Sequence, residues 1–589
     1  MQAVSLNSTP ADQIRPGSLV RFRCMVQDAY DPEIYLDTFE AADPQGNRSL
    51  HCGRYRDNNS SIPTDATLVD QSRHNVLRNR QTLYCVPIPG EAEWVKRQDA
   101  PAAGALPTPA TEPERRISAK RGLDADDDDS MEMEDNGQAV RADDAAAAAV
   151  AATGPAIKKT RDEQQAGGGE AAASGGFHFN FPLPGETGTA VMAKFYGDEG
   201  QIPTINQMVE VLGFYEIDPV IGMADFSDDP FDMAEEHKAK NPPASLIPRL
   251  HCLRFAPIAH NNPHLGQAIA PEVRADAMAA APGVRANLLA TIGAAIGGDQ
   301  LVSEFILLHL LSAVHTRQDG STLVLGKLPM NVLGMTPESH GAIKHLNDFL
   351  RQVLPNHHAQ SMELAQLEAI RMNPKKNVMT NRLDAGLLQL AAGTNLVLDE
   401  CVMNEGNLKE QGINNLKALA QLMQNQTLQF QFEFTPIDFE VDIPVLVFSE
   451  GKSLLPVDLH VPYRPGAAPP RPVAPSEAEL VAFRNFITLA RTTEHIMTDE
   501  VRTRIETDFV QMRQEDPEQV KAETLHTLLI VARLMSQSYC NPTLSTDIWD
   551  ATRTLEAARR ATLDVVAPVA KHPAGGAPVV PTGLAGIVE

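Results

Sequence analysis

The sequence predicts a multidomain α/β protein in which a split β-barrel precedes an α/β domain and a helical bundle. Three observations indicate this fold class. The chain has 589 residues, which is too long for one compact domain. Short runs of β-forming residues stand on both sides of a long segment without aromatic residues. From about residue 271, apolar strand-like runs alternate with helical patterns, which is typical of α/β domains.

Charge and cysteine content limit the classes of function. The chain has 50 Lys and Arg against 76 Asp and Glu, a net charge of −26. A surface this acidic repels phosphate backbones and anionic membranes, so we expect direct nucleic-acid binding to be weak or absent. The six cysteines stand singly, which favours a reducing compartment. The N-terminus is polar and no run of about 18 apolar residues occurs, so we expect a soluble intracellular protein without a membrane span.

The first domain is predicted in two parts rich in short strands, residues 1–98 and 177–258. Strand-like runs occur at 19–26, 33–39, 82–88, 190–196, 208–217 and 246–255. About five short strands that tolerate a long loop are typical of an oligonucleotide/oligosaccharide-binding (OB) barrel. Four aromatic side chains could stack on bases, although rings in strand-rich domains are more often core: Phe22, Tyr35, Tyr84 and Phe195.

Between these two parts, residues 99–176 are predicted to be a disordered insertion. The segment has no aromatic residue and carries an acidic run at 126–129 and an alanine run at 145–149. Such a composition cannot bury enough apolar surface to order the chain. Two basic clusters could act as nuclear import signals or be solvated charge runs: Arg115, Arg116, Lys120 and Arg121, and then Lys158, Lys159 and Arg161.

The α/β domain is predicted over residues 271–465 and a helical bundle over 476–562. Helical stretches separate three apolar strands, at 328–333, 395–398 and 443–448. Buried strands in this arrangement indicate a largely parallel sheet. Four helical patterns follow a proline-rich stretch, at 477–491, 499–513, 522–538 and 546–561. We expect residues 563–589, which are rich in Pro, Gly and Ala, to be a flexible tail.

The loop after the first strand of this domain takes the place of a phosphate-binding loop. That chemistry needs G-x-x-x-x-G-K-[ST], whose lysine neutralises the phosphates and whose hydroxyl holds magnesium. The stretch from Gly334 to Gly341 lacks the Gly-Lys-Ser/Thr triplet. Gly451-Lys452-Ser453 has the triplet without the first glycine, so we reject it as a phosphate loop. The sequence therefore predicts a degenerate loop, no catalytic residue and no ATP hydrolysis.

Two carboxylates follow the second strand of the domain. Asp399 and Glu400 end an apolar run, as in a Walker B element, where aspartate orients magnesium and glutamate polarises a water. Carboxylates that only cap a strand are commoner, so both interpretations remain open on the pattern. Two histidine pairs have no Cys or carboxylate at ligand spacing, which predicts no metal site and no cofactor: His340 with His345, and His357 with His358.

Several segments, in order, resemble the ATPase domain of the MCM replicative helicases. The matching segments are 382–400 for the Walker B region, 422–428 for the helix and turn after it, 448–451 for the sensor strand, and 483–491 with 524–533 for the lid. No segment matches the arginine finger. The resemblance implies a degenerate AAA+-like domain with a helical lid, in which four residues are remnants of a nucleotide site: Gly334, Gly341, Asp399 and Glu400.

Nearly the whole chain resembles the MCM complex-binding protein family. The matching strings stand in the family's order at 20–28, 84–91, 180–186, 243–249 and 449–456. The resemblance implies a non-catalytic nuclear regulator of DNA replication and the cell cycle that binds MCM subunits and reaches chromatin through them. It also implies that the protein stands in for one subunit in an alternative complex, unloads the helicase in late S phase, and supports sister-chromatid cohesion.

Two alternatives stay open on the sequence alone. The chain could be an AAA+-type ATPase that uses Asp399 and Glu400 with a loop from a partner, in which case it should bind magnesium and ATP. It could instead bind single-stranded DNA through the OB-like barrel, and that binding would weaken steeply with salt. The net charge argues against the second alternative.

Overall fold

The structure is a computed structural model. It describes residues 3–56, 66–69, 71–98, 179–197, 202–216, 247–317, 324–336, 339–466, 469–515, 517 and 520–570. The described residues belong to one compact unit. The predicted import residues, Arg115, Arg116, Lys120, Arg121, Lys158, Lys159 and Arg161, lie outside the described residues, so that prediction stays a prediction.

Most strands of the N-terminal half form a closed ring. The elements are β1 (Val4–Ser5), a 3₁₀ turn (Ala11–Gln13), β2 (Leu19–Ala29), β3 (Glu33–Ala42), β4 (Arg48–Cys52), β5 (Thr67–Leu68), β6 (Val76–Val86), α1 (Glu93–Gln98), β7 (Val191–Phe195), β8 (Met208–Glu216) and β9 (Arg249–Pro257). The pairing order β2-β8-β9-β7-β6 returns from β6 to β2. We call these five strands the strand ring. Strands β3, β4 and β5 extend the sheet beyond β6 as an arm.

Alternating side chains give the strand ring its core. Along β2, Val20, Phe22, Cys24 and Val26 join a buried cluster to which all five ring strands contribute, because alternate residues of a strand point to the same face. Met25 points the other way, into a second buried cluster. The aromatic side chains Phe22, Tyr35, Tyr84 and Phe195 are all buried, so these rings are core and their faces are not open to bases.

A five-stranded parallel sheet follows the strand ring. The next elements are α2 (Pro271–Ile296), α3 (Gln300–Leu311), β10 (Thr316–Arg317), β11 (Val324–Leu325), β12 (Met330–Leu333), α4 (His340–Val353), β13 (His357–Ser361), α5 (Leu364–Ala369), β14 (Lys375–Asn377), β15 (Arg382–Asp384), β16 (Asn395–Asp399), α6 (Glu410–Asn425), β17 (Thr427–Phe430), β18 (Ile437–Glu440), β19 (Val445–Ser449) and β20 (Leu459–Pro462). The sheet has the order β13-β16-β19-β12-β20, with all pairs parallel. The pairs β10–β11, β14–β15 and β17–β18 are antiparallel hairpins outside this sheet.

Both faces of the parallel sheet are buried, as a parallel sheet requires. Val397 and Phe448 point into the cluster that α2, α3, α4 and α7 (Glu477–Arg491) cover. Their neighbours Leu398 and Val447 point into the cluster on the opposite face, which α6 covers. The apolar runs of the strands therefore hold the sheet between two layers of helices.

The C-terminal part of the described chain is mainly helical. After α7 it contains β21 (Ile496–Met497), α8 (Asp499–Glu515), α9 (Ala522–Gln537), β22 (Thr543–Leu544) and α10 (Thr546–Ala570). A capping box starts α7, in which Ser476 Oγ accepts from the Glu479 amide and the Glu479 carboxylate accepts from the Ser476 amide. This reciprocal pairing satisfies backbone donors that an open helix end leaves free.

Helix α2 is the one described helix whose length and hydropathy would suit a membrane span. The sequence has no uninterrupted apolar run here, and the buried cores of soluble proteins contain helices that satisfy the same two criteria. Its C-terminal half packs into the α/β core, where Leu288, Ile292 and Ile296 are buried. The expectation of no membrane span therefore stays a prediction.

Hydrogen bonds join the N-terminal half of the chain to β15 and the residue after it. The Asn180 side chain donates from Nδ2 to the Leu383 carbonyl at 2.7 Å and accepts from the Ala385 amide at 2.8 Å. Asp28 Oδ2 accepts from the Leu383 amide at 3.0 Å. We call these three bonds the interlock. Burial raises the pKa of the Asp28 carboxyl to about 6, although the Leu383 amide favours its charged form.

A second contact joins the segment around α1 to the start of β13. The Ala92 amide donates to the Pro355 carbonyl at 2.8 Å, and the His357 amide donates to the Gly90 carbonyl at 3.0 Å. Trp94 donates from Nε1 to the Leu354 carbonyl at 3.2 Å. This contact adds to the interlock in holding the N-terminal half of the chain against the parallel sheet.

Asn180→Ala should destabilise the protein. The change leaves the Leu383 carbonyl and the Ala385 amide without their interlock partner, and each such loss costs about 1–3 kcal/mol. We expect the free energy of unfolding, measured from urea unfolding followed by circular dichroism, to fall by about 2–6 kcal/mol. Asn180 has φ of +60°, which strains alanine. Asn180→Gly removes the same side chain without that strain, so it separates the loss of the hydrogen bonds from backbone strain. A glycine variant as stable as the wild type would contradict the role given to the interlock.

Candidate functional site

The parallel strands bring the predicted remnants to one edge of the sheet. The loop that begins at Gly334 follows β12, and Asp399 and Glu400 lie at the end of β16. The Gly334 amide donates to the Glu450 carbonyl at 3.1 Å, and the Glu400 amide donates to the Phe448 carbonyl at 2.9 Å. Gly334, Asp399 and Glu400 therefore meet around the end of β19, at the edge where α/β proteins bind ligands. We call this part of the sheet, at the carboxyl ends of β12, β16 and β19, the carboxyl edge.

His340 stands where a phosphate-binding loop has its lysine. Counting G-x-x-x-x-G-K-[ST] from Gly334 puts Ser339, His340 and Gly341 at the last three positions. His340 is the first residue of α4, and its Nδ1 lies 3.6 Å from Asp399 Oδ2. An imidazole is shorter than a lysine side chain and lacks its fixed charge. His340 is not among the predicted remnants, yet the count from Gly334 identifies it.

The Glu400 carboxylate is bound by the loop after β19. Ser453 donates from Oγ to Glu400 Oε1 at 2.8 Å, and the Leu454 amide donates to Oε2 at 3.4 Å. Ser453 belongs to the Gly-Lys-Ser triplet that the sequence analysis rejects as a phosphate loop, and here its hydroxyl caps a carboxylate. Burial raises the pKa of Glu400 to about 7 despite these bonds.

The electrostatics of this edge are unfavourable for a triphosphate. Burial raises the pKa of the Cys401 thiol, and the carboxylates of Asp399, Glu400 and Glu450 raise it further. Asp399 and Glu450 thus place negative charge where phosphate chemistry needs cations. Within the described residues, no group of three His, Cys, Asp or Glu side chains is arranged to hold a metal ion.

The backbone conformation requires glycine at only one of the two glycine positions of the loop. Gly334 has φ of +88°, a left-handed conformation that favours glycine. Gly341 lies in the first turn of α4, where an added Cβ would meet no atom of the described structure within 4 Å. Gly334 is therefore needed for the turn, whereas protein packing does not explain a glycine at position 341.

The stability of the protein should depend on the charge of Glu400. Its folded pKa of about 7 exceeds the value of about 4.3 for an unfolded glutamate, so the folded state binds more protons between these values and loses stability as pH rises. Glutamine cannot ionise. As the pH rises from 5 to 8, we therefore expect the free energy of unfolding of Glu400→Gln to increase by about 1–3 kcal/mol relative to that of the wild type. Urea unfolding at each pH measures this difference.

Glu500→Gln is the control for that experiment, because Glu500 is exposed on α8. The stability of this variant should stay parallel to that of the wild type across the pH range. A Glu400→Gln variant that also stays parallel to the wild type would contradict the assignment of a buried, proton-binding carboxyl at this edge.

Comparison with known proteins places the chain in a family. It matches the family described as "Mini-chromosome maintenance replisome factor" over residues 2–563. It is 38% identical to the mini-chromosome maintenance complex-binding protein of Danio rerio over 580 residues, which is 94% of this chain and 90% of the relative. The Homo sapiens protein of that name is 35% identical, with 95% and 90% covered, and the Drosophila melanogaster protein is 30% identical, with 94% and 91% covered. These matches span the strand ring, the parallel sheet and the carboxyl edge, and they show that the chain belongs to the mini-chromosome maintenance replisome factor family.

Proposed function

We propose that this chain is a non-catalytic regulator of DNA replication that binds subunits of the MCM helicase. The carboxyl edge carries the proposal. It brings together the loop and two carboxylates of a nucleotide site, but His340 replaces the lysine and Ser453 caps Glu400. Without the positive charge of a loop lysine, ATP hydrolysis lacks a main source of stabilisation for the charge of its transition state. The relatives are named for binding the MCM complex, which supports the choice of partner.

The topology supports the two finer parts of the proposed fold. An OB-like barrel is supported by five strands that close into a ring around one core. A degenerate AAA+-like domain is supported by the position of β12 beside β19, because a phosphate loop after β12 would then face the acidic end of β16. The α7–α10 helices are the proposed lid. A body of this kind could dock beside helicase subunits without hydrolysing ATP.

The cellular role is proposed from the family resemblance. The protein would act in the nucleus, stand in for one MCM subunit in an alternative complex, promote unloading of the helicase in late S phase, and support sister-chromatid cohesion. The basic residues between 115 and 161 would direct import. The net charge of −26 supports contact with chromatin through MCM subunits rather than through DNA.

Affinity capture tests the proposed partner. We expect the immobilised full-length chain to recover MCM subunits from a nuclear extract, identified by mass spectrometry. Asp399→Asn should recover as much as the wild type, because the proposed docking needs no bound magnesium. Recovery of no MCM subunit would contradict the proposed function.

In cells, rapid depletion of the protein in S phase should leave MCM subunits on replicated chromatin, and normal release would contradict the unloading role.

Nucleotide titration tests the non-catalytic part of the proposal. Calorimetric titration of the purified chain with magnesium and ATP should show no saturable binding at millimolar ATP, because the edge is negative and lacks the loop lysine. Saturable binding that Asp399→Asn abolishes would favour the alternative of an active or nucleotide-sensing ATPase.

A further inference from the structure

Two hairpins beside the parallel sheet expose apolar side chains. The hairpin of β14 and β15 carries Val378 and Met379 at its turn, 61% and 53% exposed. The hairpin of β17 and β18 carries Phe434, 90% exposed, and Ile437, 49% exposed. Phe434 is the most exposed large apolar side chain in the described part of the chain. Exposed aromatic residues of this kind commonly anchor protein interfaces.

Backbone hydrogen bonds join the two hairpins. The Lys376 amide donates to the Gln431 carbonyl at 2.8 Å, and the Gln431 amide donates to the Pro374 carbonyl at 2.9 Å. The two turns therefore belong to one continuous element. We call the four exposed apolar residues that they carry the hairpin surface: Val378, Met379, Phe434 and Ile437.

The second hairpin is fixed at its base. The Phe430 ring, which is fully buried, lies 4.4 Å from the Phe439 ring between centroids. The Arg317 guanidinium donates to the Asn425 carbonyl at 3.1 Å, and its Nε lies 3.3 Å from Glu440 Oε2. The tip that carries Phe434 thus extends from an anchored base.

The first hairpin is fixed by the interlock and by its own turn. Its strand β15 holds Leu383, which bonds Asn180 and Asp28 of the N-terminal half. At the turn, Asn377 Oδ1 accepts from the Met379 amide at 3.1 Å. Because both hairpins are already ordered, they lose little further conformational freedom when a partner binds, and this favours affinity.

Two exposed acidic side chains accompany the apolar tip. Glu433 and Asp438 flank Phe434 in the sequence and are both exposed, whereas Glu440 at the hairpin base is already paired with Arg317. This charge repels nucleic acid. It complements a protein surface with lysine or arginine side chains around an apolar hollow.

A polar pocket at the base of the hairpins also lacks a partner group. The pocket has a volume of about 380 Å³, and Lys375 of the first hairpin and Gln431 of the second line it. Asn373 lines it too, and its side chain is 8% exposed with a buried Oδ1 that accepts no hydrogen bond from the described residues. A buried acceptor without a donor is costly. Because Asn373 Oδ1 is closed to solvent, a docked protein would contact the exposed tip and leave this atom as it is.

We propose that the hairpin surface is a docking site for an apolar hollow rimmed by lysine or arginine side chains on an MCM helicase subunit. The choice of that subunit as the partner rests on the proposed function. Phe434 fills the hollow, and Glu433 and Asp438 face its basic rim.

Capture of MCM subunits by full-length variants tests the docking site. Phe434→Ser should recover about tenfold less MCM than the wild type, because aromatic anchors at the centre of an interface carry much of its affinity. Glu433→Lys should also recover less, through repulsion from the basic rim. Leu50→Ser, at a side chain 62% exposed on the arm strand β4, is the matched control and should recover as much as the wild type. The thermal midpoint of each variant should equal that of the wild type.

Each other result overturns the proposal in a distinguishable way. Normal recovery by Phe434→Ser would reject the docking site and leave the proposed function in place. Recovery of no MCM by the wild type would reject the proposed function and the partner together. A wild-type dimer that dissociates on Phe434→Ser, seen by light scattering, would assign the surface to a second copy of the chain. Binding to single-stranded DNA that is lost in Phe434→Ser would assign it to nucleic acid.

Discussion

The three hydrogen bonds of the interlock, two of them fully buried, hold the N-terminal half of the chain against β15 and the residue after it. Asn180 uses both ends of its amide on Leu383 and Ala385, and Asp28 takes the remaining Leu383 amide. Each side of this contact would leave buried polar groups unpaired without the other, which is costly. Because β15 also forms half of the first exposed hairpin, the interlock sets the position of the hairpin surface relative to the ring.

The packing of the sheet beneath the carboxyl edge does not depend on the polar residues that lie at that edge. The sheet is stabilised by the apolar faces of its strands, such as Val397 and Phe448 on one side and Leu398 on the other. None of these residues depends on a lysine in the loop after β12. His340 and the hydrogen bond from Ser453 to Glu400 can therefore stand at this edge without loosening the core. The surface of the domain is then still formed and can contact other proteins.

Sequence patterns predicted the elements whose signals are local. The helix predicted at 477–491 has those bounds, because its apolar spacing and the Ser476 capping box lie within a few residues of each other. Of the arm, β3 was predicted from the run at 33–39. Strands β4 and β5, helix α1 and the two exposed hairpins were not predicted, since these elements are short and their packing is non-local. The interlock joins Asp28 to a residue 355 positions away, and no local pattern indicates such a pair. Asp399 and Glu400 were identified from the strand that they end, whereas the distance of 3.6 Å between Asp399 and His340 could be known only from the fold.

Native-state hydrogen exchange in increasing denaturant tests the central claim most directly. If the interlock makes the strand ring and the parallel sheet one cooperative unit, the most protected amides of β2 and β16 should open with the same free energy and the same denaturant dependence. Opening of β2 at a lower free energy, while β16 stays protected, would show two independent units and contradict the account.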